Sequence, residues 1–256
     1  QIIKEKIWSN KKVQTKACAI DLVTETDRQV EQLLISGLQS HFPDHMFIGE
    51  ESTDSGVKAV LTDAPTWIID PVDGTMNFVH GNPNVCVSVG LYVNKQAEVG
   101  IIYCPVYELM YTAMKGKGAQ LNGKSIHVSE EKELAKALVC IEGGTSRDPE
   151  KIKTVIENFE ILIPQMHGYR ASGSAAFNLA SVAQGCTDAF IEFGCHAWDM
   201  AAGELIVREA GGAVIDPSGG PFDVMSCRII CASSQELAQT LAGAVKQYYP
   251  KRDDAE

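Results

Sequence analysis

The sequence predicts an α/β protein, and three observations carry that prediction. Short apolar runs that end in acidic or glycine-rich turns recur along the chain, as at Trp67-Ile68-Ile69 and Ala137 to Ile141. Amphipathic helical patterns stand among them, with Val30, Leu33, Leu34 and Leu38 at spacings of three and four. A further helix pattern, after Trp198, is lined with Ala and Gly, a composition that packs closely on a sheet.

The elements follow in order. The chain opens at Gln1 on what reads as the middle of a helix (Ile2, Ile3, Lys4, Glu5, Ile7). Asp21 to Asp27 leads into the helix of Val30 to Leu38, which ends near His41-Phe42-Pro43, and Asp27 stands in its first turn as a cap. Met46 to Ser52 reads as a short strand ending in acid. If it continues extended, Glu50 and Glu51 point to opposite sides, one toward a pocket shared with Asp70 and the other to solvent. Asp54 to Pro65 is a polar connection, expected to be a mobile surface loop. Val85–Val93, Val99–Tyr103, Glu108–Met114 and Ala119–Val128 predict a large antiparallel sheet, with Asn122-Gly123 as a type I′ hairpin turn. Parts of that sheet could serve as a subunit interface.

In the second half, Ala137–Ile141 is a buried strand followed by the small-residue turn Gly143-Gly144-Thr145-Ser146. Asp148-Pro149 opens a helix whose apolar residues are Ile152, Val155, Ile156 and Phe159. The turn from Gly168 to Ala176 precedes a helix with Ser174 as its natural N-cap, a helix start that offers N–H groups to hydroxyls or anions. Asp188 to Glu192 is a strand whose final Glu reads as an exposed end. His196 is a core or loop histidine, with no catalytic role expected. Asp199 caps the Ala/Gly-lined helix, which Gly211-Gly212 ends. Ile229 to Cys231 and a helix from Gln235 to Tyr249 read as structural, and the charged tail Lys251 to Glu256 as frayed.

The chemistry concentrates at residues 67–80. A buried strand runs into Asp70, Pro71 is expected to stop its pairing, and Asp73-Gly74-Thr75 follow at once. Asp70, the Val72 carbonyl and Asp73 offer hard oxygen ligands of the kind that divalent cations take. Gly74 and Thr75 would open a short helix whose N–H groups suit phosphate oxygens. The competing reading is a plain strand-to-helix turn in which Asp73 is an N-cap.

The stretch Asp70-Pro71-Val72-Asp73-Gly74-Thr75, with Asn77-Phe78 after it, resembles the metal-binding signature of the inositol monophosphatase family, most of all its animal cytosolic members. Trp198-Asp199 through Glu209-Ala210-Gly211-Gly212 resembles the family's second signature, and the likeness runs over nearly the whole chain. Met76 stands where the family often has Thr and is expected to face away from the metals. Ser174 replaces a frequent Thr. Against the family, the sequence as given is expected to lack part of an N-terminal helical stretch.

What the resemblance implies is specific. The fold is an α/β layered sandwich (αβαβα) shared with fructose bisphosphatases, one domain over 1–256 with pseudo-halves at about 1–140 and 141–256. The cofactor is Mg²⁺, two to three ions per subunit, held by Glu50, Asp70, the Val72 carbonyl, Asp73 and Asp199. Glu50, Thr75 and Asp27 are catalytic, with Thr75 and Asp27 orienting the attacking water. Lys16 lies close to the metals. Asp73, Gly74, Thr75, Thr145, Gly173, Ser174, Ala175, Glu192 and Asp199 contact the substrate. The activity is lithium-sensitive hydrolysis of myo-inositol monophosphates to myo-inositol and phosphate, which feeds phosphatidylinositol signalling. The enzyme is a cytoplasmic homodimer.

Composition sets limits on the alternatives. The formal charge of −11 argues against nucleic acid as a partner. No apolar run reaches membrane-span length and nothing reads as a signal peptide. The eight cysteines make no CxxC pair and no zinc spacing, so buried free thiols in a reducing compartment are expected. Of the residues near the substrate segments only Arg170 is basic, which favours a monophosphate over a bisphosphate.

Overall fold

The structure is a computed structural model that describes residues 1–9, 13–15 and 22–255. Lys16, Cys18 and Asp21 lie outside the described residues. Helix α1 (Ile2–Lys6) precedes a two-stranded antiparallel pair, β1 (Val13–Thr15) and β2 (Leu22–Thr24). Helix α2 (Glu25–His41) leads to β3 (Met46–Gly49), the short α3 (Glu50–Asp54), β4 (Thr66–Asp73) and α4 (Thr75–His80). A meander follows: β5 (Cys86–Val93), β6 (Gln96–Cys104), β7 (Leu109–Met114), β8 (Ala119–Leu121) and β9 (Lys124–Ile126). Then come β10 (Leu138–Ile141), α5 (Pro149–Leu162), β11 (Gly168–Arg170), α6 (Ala175–Ala183) and β12 (Ala189–Phe193). The chain ends with α7 (Ala197–Glu209), β13 (Ala213–Ile215), β14 (Arg228–Ala232) and α8 (Gln235–Ala244).

Strands β3 to β9 form one sheet in chain order, antiparallel except for the parallel β3–β4 pair. The second sheet, ordered β11-β10-β12-β14-β13, mixes both senses. Helices α6 and α7 lie between the sheets in the largest apolar core. Helix α2 covers the outer face of the first sheet, and α8 and α5 the outer face of the second. The layers are therefore αβαβα. The middle layer fits because small residues face it: a methyl group on Gly100 of β6 would sit 2.4 Å from the Ala202 carbonyl oxygen of α7. The Asn122-Gly123 turn has positive φ at both residues, as its type requires.

Five expectations give way. Strand β4 does not end at Asp70: it pairs with β5 through Asp70↔Ser88 and again at Asp73↔Cys86, and the extra residue between them forms a bulge. Pro71 sits in that bulge, where no ladder N–H is needed. The chain after β3 turns into α3 because the Glu31 carboxylate accepts from Glu51 N (2.8 Å) and Ser52 N (2.9 Å) and so caps the helix start. Glu51 is consequently buried beside Arg28, not turned to solvent.

Helix α5 is rotated from its apolar stripe: Ile156 is 53% exposed, and the buried positions are Lys151, Thr154, Asn158 and Leu162. Asn158 earns its burial by exchanging two hydrogen bonds with the Lys246 backbone. Helix α8 stops at Ala244, and the tail beyond is tied down: Asp253 Oδ2 accepts from Ala197 N (2.7 Å), and Arg252 pairs with Asp223 (2.6 Å). The described cysteines are free and, except for Cys186, buried.

Candidate active site

Two carboxylates reach the site by local geometry. The β4 bulge aims Asp70 and Asp73 into the same space, and Asp70 Oδ1 accepts from Val72 N at 2.9 Å. Gly74 then makes the strand-to-helix turn at φ 86°, and a methyl group there would stand 2.9 Å from the Asn84 carbonyl oxygen. Asn77 locks the turn by donating to the Asn84 and Ser172 carbonyls, both at 2.8 Å. Phe78 anchors the short helix in an apolar cluster with Val72 and Val85.

The remaining groups arrive by tertiary packing. Asp199 comes with the first turn of α7, whose start is fixed by Ser88 Oγ donating to the Trp198 carbonyl (2.9 Å) and by His196 N donating to Asp199 Oδ2 (2.6 Å). One carboxylate oxygen from each of Asp70, Asp73 and Asp199 lies within 4.8 Å of the others. Glu50 stands on the wall of the same cleft and raises the Asp70 pKa by repulsion. Glu50, Glu51 and Asp54 form a second acidic group with the same mutual limit.

The electrostatics follow from this crowding. Burial first, then repulsion from Glu50, Asp73 and Asp199, pushes the Asp70 carboxyl well above its ordinary range. Burial and Asp199 push Asp73 up to about 7, although Ser174 Oγ, Ala176 N (2.7 Å) and Ala175 N (3.2 Å) all donate to it. Three oxygen donors that repel one another, two buried and that of Asp199 half-buried, fit a hard divalent cation, which would neutralise them together. The His196 ring, on the same cleft, is turned to Asp253 Oδ1 at 2.6 Å.

Thr75 Oγ1 lies 3.1 Å from Asp27 Oδ1 and 3.1 Å from the Val72 carbonyl. The other oxygen of Asp27 accepts from Thr24 N (3.0 Å) as the cap of α2. Capping and the Thr75 contact are thus served by the two oxygens of one carboxylate. Burial raises the Asp27 pKa, against the pull of these donors.

The cleft encloses about 330 Å³ and is lined by most of the expected residues: Glu50, Asp70, Val72, Asp73, Gly74, Thr75, Thr145, Gly173, Ser174, Ala175, Glu192 and Asp199. Asp27 touches it through Thr75. Three details differ from expectation. Met76 lines the cleft. Glu192 is 7% exposed, not an open strand end. The α6 N–H groups of Ala175 and Ala176 go to Asp73, so this helix start holds a carboxylate in place.

Glu142, Gly144, Arg147, Gly194 and His196 also line the cleft, and the sequence reading missed them as site residues. Arg147 takes the place expected of Arg170, whose guanidinium donates to the Tyr169 carbonyl. The only signal for Arg147 was its place in the polar turn ahead of Asp148-Pro149.

The profile of the inositol monophosphatase family matches residues 1–249. The chain belongs to the inositol monophosphatase family. Inositol monophosphatase 2 of Mus musculus is 49% identical over 255 residues, 99% of this chain and 88% of that protein. Inositol monophosphatase 1 of Homo sapiens is 48% identical over 256 residues, 99% and 92% of the two chains. Among solved structures, the extragenic suppressor protein suhB of Bartonella henselae aligns with a TM-score of 0.86 at 32% identity, covering 96% of this chain and 93% of that one. The IMPase of Thermotoga maritima aligns at 0.84 and 31%, covering 95% and 90%. This member of the family is a phosphatase with acidic clusters able to hold metal. No described helix is long and apolar enough to cross a membrane.

Proposed function

We propose that this phosphatase hydrolyses myo-inositol monophosphates with Mg²⁺, two to three ions per subunit, and that lithium suppresses it. The observation that carries this reading is the convergence of Asp70, Asp73 and Asp199 in a cleft that also presents Glu192 and the Thr75–Asp27 pair. Glu50, Asp70, the Val72 carbonyl, Asp73 and Asp199 would hold the ions. Bound Mg²⁺ supplies charge neutralisation, a more acidic water and stabilisation of the leaving alkoxide.

The chain's own groups do the rest. Donating its hydrogen bond to Asp27, the Thr75 hydroxyl turns lone pairs to the cleft and accepts a hydrogen bond from the attacking water; as the water's proton passes to Thr75 Oγ1, the Thr75 proton passes to the Asp27 carboxylate. The Gly74 and Thr75 backbone holds the phosphate. Thr145, the Gly173–Ala175 turn and Glu192 meet the hydroxyls of the ring. Arg147 is the single Arg or Lys on the cleft wall among the described residues, which favours a monophosphate. Homodimer formation, a cytoplasmic location and a role in supplying inositol for signalling belong to the same proposal.

Phosphate release from myo-inositol 1-phosphate, with Mg²⁺ titrated and lithium added at the optimum, tests it. Release that requires Mg²⁺ and falls with lithium is expected. Release from nucleotide 3′-phosphates with little from inositol phosphate would overturn the substrate assignment.

A further inference from the structure

Lys151 is 1% exposed, yet its Nζ has no hydrogen-bond partner among the described residues. Its position does not account for it either. It lies in the first turn of α5, where the helix dipole disfavours a cation. A buried, unpaired ammonium is costly, so a nearby charge must offset it.

That charge is Glu192. A methyl group built on Gly144 would stand 2.5 Å from Lys151 Nζ and 3.1 Å from Glu192 Oε1, so the two groups flank the same Cα. A methyl on Gly194 would stand 2.7 Å from Nζ. Gly144 and Gly194 leave the niche into which the ammonium fits, directly behind the cleft wall they form with Glu192. No described residue donates a hydrogen bond to the Glu192 carboxylate. Its neighbour Glu142 differs, accepting from Ser172 N (2.6 Å), Gly173 N (2.8 Å) and Asn178 Nδ2 (2.9 Å).

The charged groups acting on Glu192 are Glu142 after β10, Asp73 on β4, Asp199 on α7 and Lys151 on α5. Burial first, and then the three carboxylates, push the Glu192 carboxyl well above its ordinary range; Lys151 alone pulls the other way.

We propose that Lys151 is a positioning residue: its ammonium is the counter-charge that favours the ionised form of Glu192 against burial and the neighbouring carboxylates, so that Glu192 can accept hydrogen bonds from substrate hydroxyls. The proposal rests on the reading of the cleft as a polyol-phosphate site. It adds a determinant of substrate preference on a helix that otherwise faces away from the chemistry.

The deciding experiment is a ¹³C-carboxyl NMR titration of Glu192 in the metal-free wild type, Lys151→Met, Lys151→Gln and Lys151→Arg. Both neutral variants are expected to move the Glu192 midpoint up by at least one pH unit, and Lys151→Arg to restore it. Kinetics give the second readout. Lys151→Met is expected to raise KM for myo-inositol 1-phosphate about tenfold with kcat little changed, the loss of one charge-assisted hydrogen bond. KM for cyclohexyl phosphate, the same ring without hydroxyls, should stay put. In a Glu192→Gln background the Lys151→Met effect should vanish.

A Glu192 midpoint that does not move in either neutral variant, with Tm preserved, overturns the proposal. If the wild type releases phosphate from neither substrate, the phosphatase reading falls, while the titration still decides the role of Lys151.

Discussion

Thr75 Oγ1 and Asp27 Oδ1, 48 residues apart in the chain, lie 3.1 Å apart at the mouth of the carboxylate cluster. Asp27 is buried in the first turn of one helix, held in a capping box with Thr24, and Thr75 opens another helix after Gly74. Thr75→Val keeps the shape and removes the hydroxyl. It should lower kcat by about 10²–10⁴-fold with KM near the wild-type value. Asp27→Asn should act in the same direction. Because the two residues work as a unit, the double variant should lose little more than the worse single one, as steady-state kinetics would show.

Metal dependence of stability has a definite sign. The Asp73 carboxyl titrates at about 7 in the metal-free fold, against about 3.9 in an unfolded chain. Between those values the folded state binds more protons than the unfolded one. The Asp73 contribution to stability is therefore greatest at low pH and declines as pH rises toward 7. Asp70 and Asp199, also raised, act the same way. Bound Mg²⁺ removes the penalty. The gain in Tm on adding Mg²⁺ should be larger at pH 8 than at pH 5, measured by calorimetry at fixed ionic strength. Equal gains at both pH values would contradict the crowded-carboxylate account.

Gly74→Ala should be destabilising beyond an ordinary glycine replacement. Its φ of 86° is left-handed, and the added methyl would meet the Asn84 carbonyl oxygen at 2.9 Å. Strain of about 1–2 kcal/mol would lower Tm by roughly 2–8 °C in a chain of this size. Thermal unfolding checks this directly.

The C-terminal tail should matter to the metal site although it contributes no carboxylate to the Asp70–Asp73–Asp199 group. Asp253 holds Ala197 N and the His196 ring, and those residues begin the helix that carries Asp199. Asp253→Ala should lower stability by about 1–2 kcal/mol, the loss of a helix-start acceptor. It should also raise the Mg²⁺ concentration for half-maximal activity several-fold. A metal titration unchanged in a destabilised variant would confine Asp253 to a structural role.

The helices and strands were readable from period and punctuation: apolar runs that end in turn residues, and a helix whose Ala and Gly composition suits close packing on a sheet; their layering as a sandwich was implied by the family resemblance. Asp70, Asp73 and Gly74 were readable as a unit because they are neighbours in the chain, and a strand-turn-helix fixes their relative geometry locally. Helix α5 shows where that legibility stops. Hydrophobic period finds a buried face only when the buried residues are apolar, and α5 buries Lys151, Thr154 and Asn158 while exposing Ile156. The same limit hid the tail, since the partners of Asp253 and Arg252 are distant in sequence.

By itself, then, the sequence determined which stretches are helix and strand, the boundaries of most elements and the pair of carboxylates on the β4 turn, all of which follow from interactions within a few residues. Tertiary structure brings Asp199 to that pair and Asp27 to Thr75, as the family resemblance implied, and it alone decided that α6 gives its N–H groups to Asp73 and that Lys151 turns inward behind Glu192. Each of those depends on which helix packs over which sheet and at what rotation, and that is set by the fit of the whole core.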